Sequence, residues 1–275
     1  MSTRTASTRT VMCDVHQRTV KATAAQLRSV EVMESLRNRY EVQARREAER
    51  ALEASVSDVT DALRSSSEAT MERSALEAFD DAPYSDMLDN IYTMGLVDFA
   101  TVTDQQLKHQ LPQGMRRKEE DRWREFIQAY LTGVSATKVQ QISETTRNAL
   151  RILLADLEGQ GLGMEEIARR VSRQMPEIHR LRAVVIARTE IINASNAASA
   201  AGASTLGMEV RKEWISVSDD RTRSHHVEAD GQTVAQDAPF IVQGERLMWP
   251  GDTQFGASAE NVIQCRCTQA YTTVR

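Results

Sequence analysis

Residues 27–63 read LRSVEVMESLRNRYEVQARREAERALEASVSDVTDAL. Leu27, Val30, Met33, Leu36, Tyr40, Ala44, Ala48, Leu52, Val56, Val59 and Leu63 recur at steps of three or four residues. That spacing puts them on one face of a helix. The opposite face is charged, with Glu41, Arg45, Glu49 and Glu53 among its members. No Gly or Pro interrupts the first 82 residues. Without a break, about 40 residues of helix would span ~60 Å. The apolar stripe can be covered by other helices of the same chain, the commoner case, or by a second copy in a coiled coil. Ala44, Ala48 and Ala51 allow close helix approach either way.

Outward from this stripe the chain divides. Residues 1–20 begin with Ser-Thr-Arg-Thr repeated at 2–5 and 7–10 and read as a flexible polar tail. Residues 21–140 read as a helical region for interaction or bundle packing. Breaks are expected at Ser65-Ser66-Ser67 and at Asp80 to Pro83, with interruptions at Gly95, Pro112 and Gly114 and a turn near Gly133. Residues 141–275 form a second module, with helices over 141–205 and a turn-rich β part over 206–275. Ile142 to Leu157 marks one helix, stopped by the glycines at 159, 161 and 163. Met164 to Met175 is the next, ended by Pro176, and Leu181 to Ala203 is a third, rich in alanine. From residue 208 on, β-formers alternate with polar residues, and Cys265 to Val274 reads as a closing strand. The expected class is α+β: a predominantly helical N-terminal two-thirds with a long amphipathic helix, then a small α+β module packed on the Ala-rich helix.

Composition excludes several classes. The 275 residues carry 34 Lys plus Arg against 39 Asp plus Glu, a net charge of -5. Residues 1–140 hold 19 basic and 22 acidic side chains, and residues 141–275 hold 15 and 17. Neither half is a basic block, so any DNA contact is expected to be weak and local. The arginines at 4, 9 and 18 and the run Arg116-Arg117-Lys118 are the local basic patches, read as solvated tail and loop. No apolar run approaches the ~20 residues that cross a bilayer, so no membrane partner is expected. Met1 to Thr10 lacks an apolar core and predicts no secretory signal. Cys13, Cys265 and Cys267 cannot form a paired disulfide framework, which suits a reducing compartment.

The densest chemistry lies in WISVSDDRTRSHHVEADGQ at 214–232, followed by Pro239-Phe240, MWPGD at 248–252 and NVIQCRC at 261–267. ARTEIINASN at 187–196 lies upstream. This ordered set resembles the phage Mu F-like family of minor head proteins, also called head morphogenesis proteins. The family pattern is an Arg-Thr-Glu helix with a later Asn, then Trp, Asp-x-Arg-Thr-Arg-x-x-His, Asp-Gly, a Pro-Gly-Asp turn and Cys-Arg-Cys. The matching positions are Arg188, Glu190, Asn196, Trp214, Asp219, Asp220, Arg223, His226, Asp230, Gly231, Pro250, Gly251, Asp252, Cys265 and Cys267. Gln264 stands where the family usually has Asn before Cys-Arg-Cys, and Asn261 lies three residues earlier. The resemblance covers residues 140–275.

Physically, these residues read as a polar lock. Arg188 and Glu190 are two apart on a helix and cannot face each other. Asp220 is the expected partner of Arg188, and Arg223 that of Glu190, because guanidinium and carboxylate match in a fork. Trp214 and Trp249 are expected core anchors. His226, Cys265 and Cys267 are three candidate zinc ligands, with Asp220, His225 or Asp252 as a fourth. Against zinc, Cys-x-Cys on a strand puts both thiols on one face, a tight spacing. A buried thiol pair beside a hydrogen-bonded His is the preferred reading, and no cofactor is expected.

Three enzymatic readings are weaker. A Cys–His nucleophile pair lacks any sign of an oxyanion hole. A metal-dependent nuclease would gather Asp219, Asp220, His226 and Asp230. Mu F-like modules also occur beside ADP-ribosyltransferase toxins, whose chemistry needs a Glu-x-Glu; the only one here is Glu47-Ala48-Glu49, on the N-terminal helix. Eight residues follow Cys267, which predicts no downstream toxin domain. The resemblance implies a non-enzymatic minor capsid protein of a tailed bacteriophage or prophage. It would act in head assembly at the portal vertex, be made in the host cytoplasm and reside in the virion. Its implied partners are the portal protein and a coat or scaffold protein, with self-association through the N-terminal helix as a further option.

Overall fold

The computed structural model describes residues 24–108, 120–204 and 209–274. The tail at 1–20, Cys13, Pro112, Gly114 and the Arg116-Arg117-Lys118 run lie outside the described residues. The class is the expected α+β one, dominated by helix. The order is α1 (Ala24–Ser55), α2 (Val59–Arg64), α3 (Met71–Glu77), α4 (Ala82–Thr93), α5 (Leu96–Lys108), α6 (Glu120–Glu158) and α7 (Met164–Ser204). Then follow β1 (Val210–Ile215), α8 (Ser224–Ala229), β2 (Thr233–Ala235), β3 (Phe240–Val242), β4 (Glu245–Leu247), α9 (Ala259–Val262) and β5 (Thr268–Thr273).

The amphipathic stripe is covered within the chain: Met33, Ala44, Ala48, Leu52, Val59 and Leu63 are all buried. It is shorter than an unbroken helix to residue 63, because α1 stops at Ser55 and a turn at 56–58 precedes α2. Ser55 is buried there, its hydroxyl 2.9 Å from the Leu52 carbonyl and 2.8 Å from the Tyr84 hydroxyl. Its own carbonyl accepts the Asp80 amide instead of continuing the helix. The breaks at 65–67, 80–81 and 95 fall where expected.

Two expected breaks are absent. α6 runs through Gly133, whose missing Cβ faces open space. A solvent-facing Gly costs only about 1 kcal/mol against Ala, too little to end a helix buried on its other side. α7 runs through Pro176. Proline leaves the carbonyl four residues earlier without its donor. Here Pro176 and Ser172 are both exposed, so the interruption falls on the solvent side of the helix. Val171 and Met175 before the proline and His179 and Ala183 after it are all buried, which holds both halves in register.

The chain forms two compact units that interleave in sequence. One takes Glu41–Ile91 and Leu131–Arg188, the other the chain up to Tyr40, Tyr92–Tyr130 and everything from Thr189 on. The first is helical, and Val59, Leu63, Met71, Leu154, Ile167 and Val171 stand in its core. In the second, an antiparallel sheet of order β2-β1-β5 is registered by Trp214 opposite Gln269 and Lys212 opposite Tyr271. Leu107 of α5, Ala203 of α7, Val210 and Tyr271 pack together, so the Ala-rich part of α7 does cover the sheet. Gly202 lets the helices close up, since a Cβ there would stand 2.4 Å from the Ala100 oxygen. β3 and β4 form a separate hairpin. Gln243 and Gly244 at its turn both have positive φ, as a two-residue turn matched to strand twist requires.

Candidate functional site

Apart from Arg188, which belongs to the helical unit, the motif residues lie in the second unit. Asn196 is wholly buried, and all its polar atoms are used. Its amide donates to the carbonyls of Pro250 (2.9 Å) and Cys267 (3.2 Å). Its oxygen accepts from Arg37 (2.8 Å) and Thr268 (3.3 Å). One side chain thus ties α1, α7, the Pro-Gly-Asp turn and the approach to β5. Arg37 also donates to Ser195 (2.6 Å) and Thr268 (3.1 Å). Burial lowers its pKa to about 10, against the pull of the Cys265 and Cys267 sulfurs, so it is charged at neutral pH.

One helical turn earlier, Asn193 is also wholly buried. Its oxygen accepts the Trp249 indole N–H at 2.8 Å, and its amide donates to the Tyr130 hydroxyl at 3.0 Å. Gly251 (φ 87°) brings the Pro-Gly-Asp turn against this residue. Asp252 closes the turn by accepting the Met248 and Gln254 amides, both at 2.9 Å. Asp230 accepts the Ser216 amide at 2.7 Å, and the Gly231 amide (φ 75°) reaches the Trp214 carbonyl. Trp214 and Trp249 are buried anchors. Asn196, Asp230 and Asp252 thus fasten the protein's own backbone, while Asn193 joins two buried aromatic side chains.

The expected ion pairs form with other partners. Arg188 donates to Glu41 at 2.8 Å in the helical unit, not to Asp220, which is exposed. Glu190 accepts the Tyr92 hydroxyl at 2.9 Å, not Arg223, which caps the Ile263 carbonyl at 2.7 Å. Asp219 takes Arg266, the middle residue of Cys-Arg-Cys, in a two-pronged pair, and also holds the Arg221 amide and the Thr222 hydroxyl. Arg266 foremost drives the Asp219 pKa well below the usual carboxylate range. Glu41, Tyr92 and Arg37 carry no motif, so nothing in sequence marked them as partners.

His226, Cys265 and Cys267 do come together. Their ligand atoms lie within 4.8 Å of one another, and all three residues are buried. His226 Nδ1 stands 3.5 Å from the Cys267 sulfur and 3.8 Å from the Cys265 sulfur. The cysteines precede β5 on irregular backbone instead of lying in a closing strand, and Gln264 before them has φ 54°. The same-face objection drawn from strand geometry therefore does not apply. Asn261, wholly buried, sets the ring: its oxygen meets His226 Nε2 at 3.2 Å, while its amide donates to Glu245 at 2.7 Å. A hydrogen bond from Cys267 pulls the Cys265 pKa well below a free thiol's; Cys267, as donor to that thiolate, is pushed well up.

The nuclease set does not assemble. Asp219 is spent on Arg266, Asp230 on the Ser216 amide, and His226 on the thiols. Among the described residues, the one group of three or more potential metal ligands is His226 with the two cysteines. Lys212, unmarked in the sequence, is buried in the sheet, donates to the Met248 carbonyl at 2.6 Å and lies 5.1 Å from the Phe240 ring centre.

Residues 140–270 match the family described as Phage Mu protein F like protein. A curated relative, the NAD(+)--arginine ADP-ribosyltransferase EFV of Enterococcus faecalis (strain ATCC 700802 / V583), is 33% identical over 112 residues. The match covers 40% of this chain and 22% of that protein, so the chain spans about a fifth of the relative's length. No solved structure matches the chain. No described helix is long and apolar enough to cross a membrane.

Proposed function

We propose that this chain is a minor capsid protein of a tailed phage or prophage that works in head assembly at the portal vertex by protein–protein contact. The observation that carries the reading is the saturation of the Mu F-like motif: Asn193, Asn196, Asp219, Asp252 and Asn261 all spend their polar atoms on the chain itself. A side chain committed to four internal bonds holds shape and is not free to turn over a substrate. The portal protein is the partner this role calls for, with coat or scaffold protein beyond it. Co-purification of the full-length chain with the portal of the same phage tests the reading. Retention is expected, and its loss on separate expression of a correctly folded chain would refute portal docking.

Arginine ADP-ribosylation is the second reading, motivated by the name of the Enterococcus relative. The Glu-x-Glu of this chain argues against it. Glu47 pairs with Arg50 and Asn90, and Glu49 with Arg45, along the side of α1. Incubation with NAD and an arginine-bearing acceptor is expected to release no nicotinamide; steady release would reverse the preference.

A further inference from the structure

We propose that His226 Nδ1, Cys265 Sγ and Cys267 Sγ bind one zinc ion as a structural site, with a water in the fourth position. The geometry suits the ion. With Zn–S near 2.3 Å and Zn–N near 2.0–2.1 Å, a tetrahedral centre holds sulfur and nitrogen ligands about 3.6 Å apart. The observed separations are 3.5 and 3.8 Å. A thiol hydrogen bond accounts for one of them, since Nδ1 has a single lone pair. It does not account for two sulfurs converging on that lone pair.

The surroundings fix the lone pair in place. Glu245 accepts from the Asn261 amide, which turns the Asn261 oxygen toward His226. That oxygen can only accept, so Nε2 carries the ring proton and Nδ1 is bare. A carboxylate–amide–imidazole relay of this kind orients metal-bound histidines and raises their basicity. Metal binding requires deprotonated thiols and releases their protons. Neither cysteine is in a disulfide.

The gain is a staple. The ion would join α8 to the segment before β5, 39 and 41 residues away along the chain, in a part with few apolar residues. Each ligand residue is at most 2% exposed, so an ion held by these three side chains and a water lies away from bulk solvent, as suits a structural role.

The full-length chain, purified without chelator, is to be assayed for metal by elemental analysis, then stripped and titrated with Co(II). One zinc per chain, intense tetrahedral d–d bands with thiolate-to-cobalt charge transfer, and a lower melting temperature after chelation are expected. Cys267→Ser should abolish the charge-transfer band or weaken it by about half. Should that variant fail to fold, wild-type metal content and the cobalt spectrum decide alone. Zinc well below one per chain, with no thiolate band on cobalt addition to folded protein, overturns the proposal.

Discussion

Arg37 and Asn196 lie 159 residues apart in sequence, yet the guanidinium of the first donates to the amide oxygen of the second at 2.8 Å. The start of α1 is therefore built into the unit that contains the Mu F-like motif, and is not a detachable arm. Replacing Arg37 with Met keeps the length and removes the donors. Ser195, Asn196 and Thr268 would each lose a bond inside a buried site. An acceptor left unmatched costs about 1–3 kcal/mol. Urea denaturation should show a loss of several kcal/mol for Arg37→Met, far above that of exposed Arg46→Met. Equal midpoints for the two variants would remove Arg37 from the lock.

Asp219 makes stability depend on acid. Arg266 first, then Thr222 and the Arg221 amide, hold its folded pKa below the unfolded value of about 3.9. A carboxylate depressed in this way stabilises the fold fully above the unfolded pKa, and the contribution disappears as pH falls through the folded pKa. Both partners are about a third exposed or less, with solvent access that screens the pair, so the effect is modest. Melting temperatures of wild type and Asp219→Asn should lie furthest apart above about pH 4 and converge as pH drops toward about 2. A gap that stays constant over that range would show that the ionised form is not what Arg266 stabilises.

These two residues show what sequence order reveals and what it hides. The apolar stripe of α1 and the breaks before α3, α4 and α5 were legible because periodicity and turn residues act locally. The helix stops assigned to Gly133 and Pro176 failed because burial on either side outweighs a local penalty taken on a solvent-facing surface. The motif residues were legible as a set, and His226, Cys265 and Cys267 do meet. Their partners were not: Arg188 chose Glu41, Glu190 chose Tyr92, and Asp219 chose Arg266. Pairing depends on which helices the fold brings alongside, and two of these partners lie in the N-terminal half, where no motif marks them. In sequence Asn261 is only an asparagine three residues ahead of the family's position, yet its burial and its place between Glu245 and His226 give it the positioning role.

Lys212 reports from the opposite end of the pH scale. Burial lowers its pKa to about 8, with Asp252 and Asp237 opposing the shift. Between about pH 8 and the unfolded value of about 10.4, the unfolded chain binds more protons than the folded one, so stability rises with pH. Below that window the charged amine is a constant cost. Chemical denaturation at pH 7, 9 and 10 should show this rise in wild type and its absence in Lys212→Met. A Lys212→Met profile parallel to wild type would place the titrating group elsewhere.

Two glycines in long helices predict opposite signs for the same substitution. At Gly133 a Cβ meets nothing within 4 Å, so Gly133→Ala gains the helical preference of Ala, about 0.5–1 kcal/mol. At Gly202 the added carbon would stand 2.4 Å from the Ala100 carbonyl oxygen and 3.2 Å from its carbon. Those are backbone atoms of α5, which cannot rotate aside as a side chain can. Overpacking of this kind costs about 1–3 kcal/mol, more than the helical preference returns. Thermal melting should rise slightly for Gly133→Ala and fall for Gly202→Ala. If Gly202→Ala melts at or above wild type, α5 and α7 are not held at the separation that places Asn193 and Asn196 against the β module.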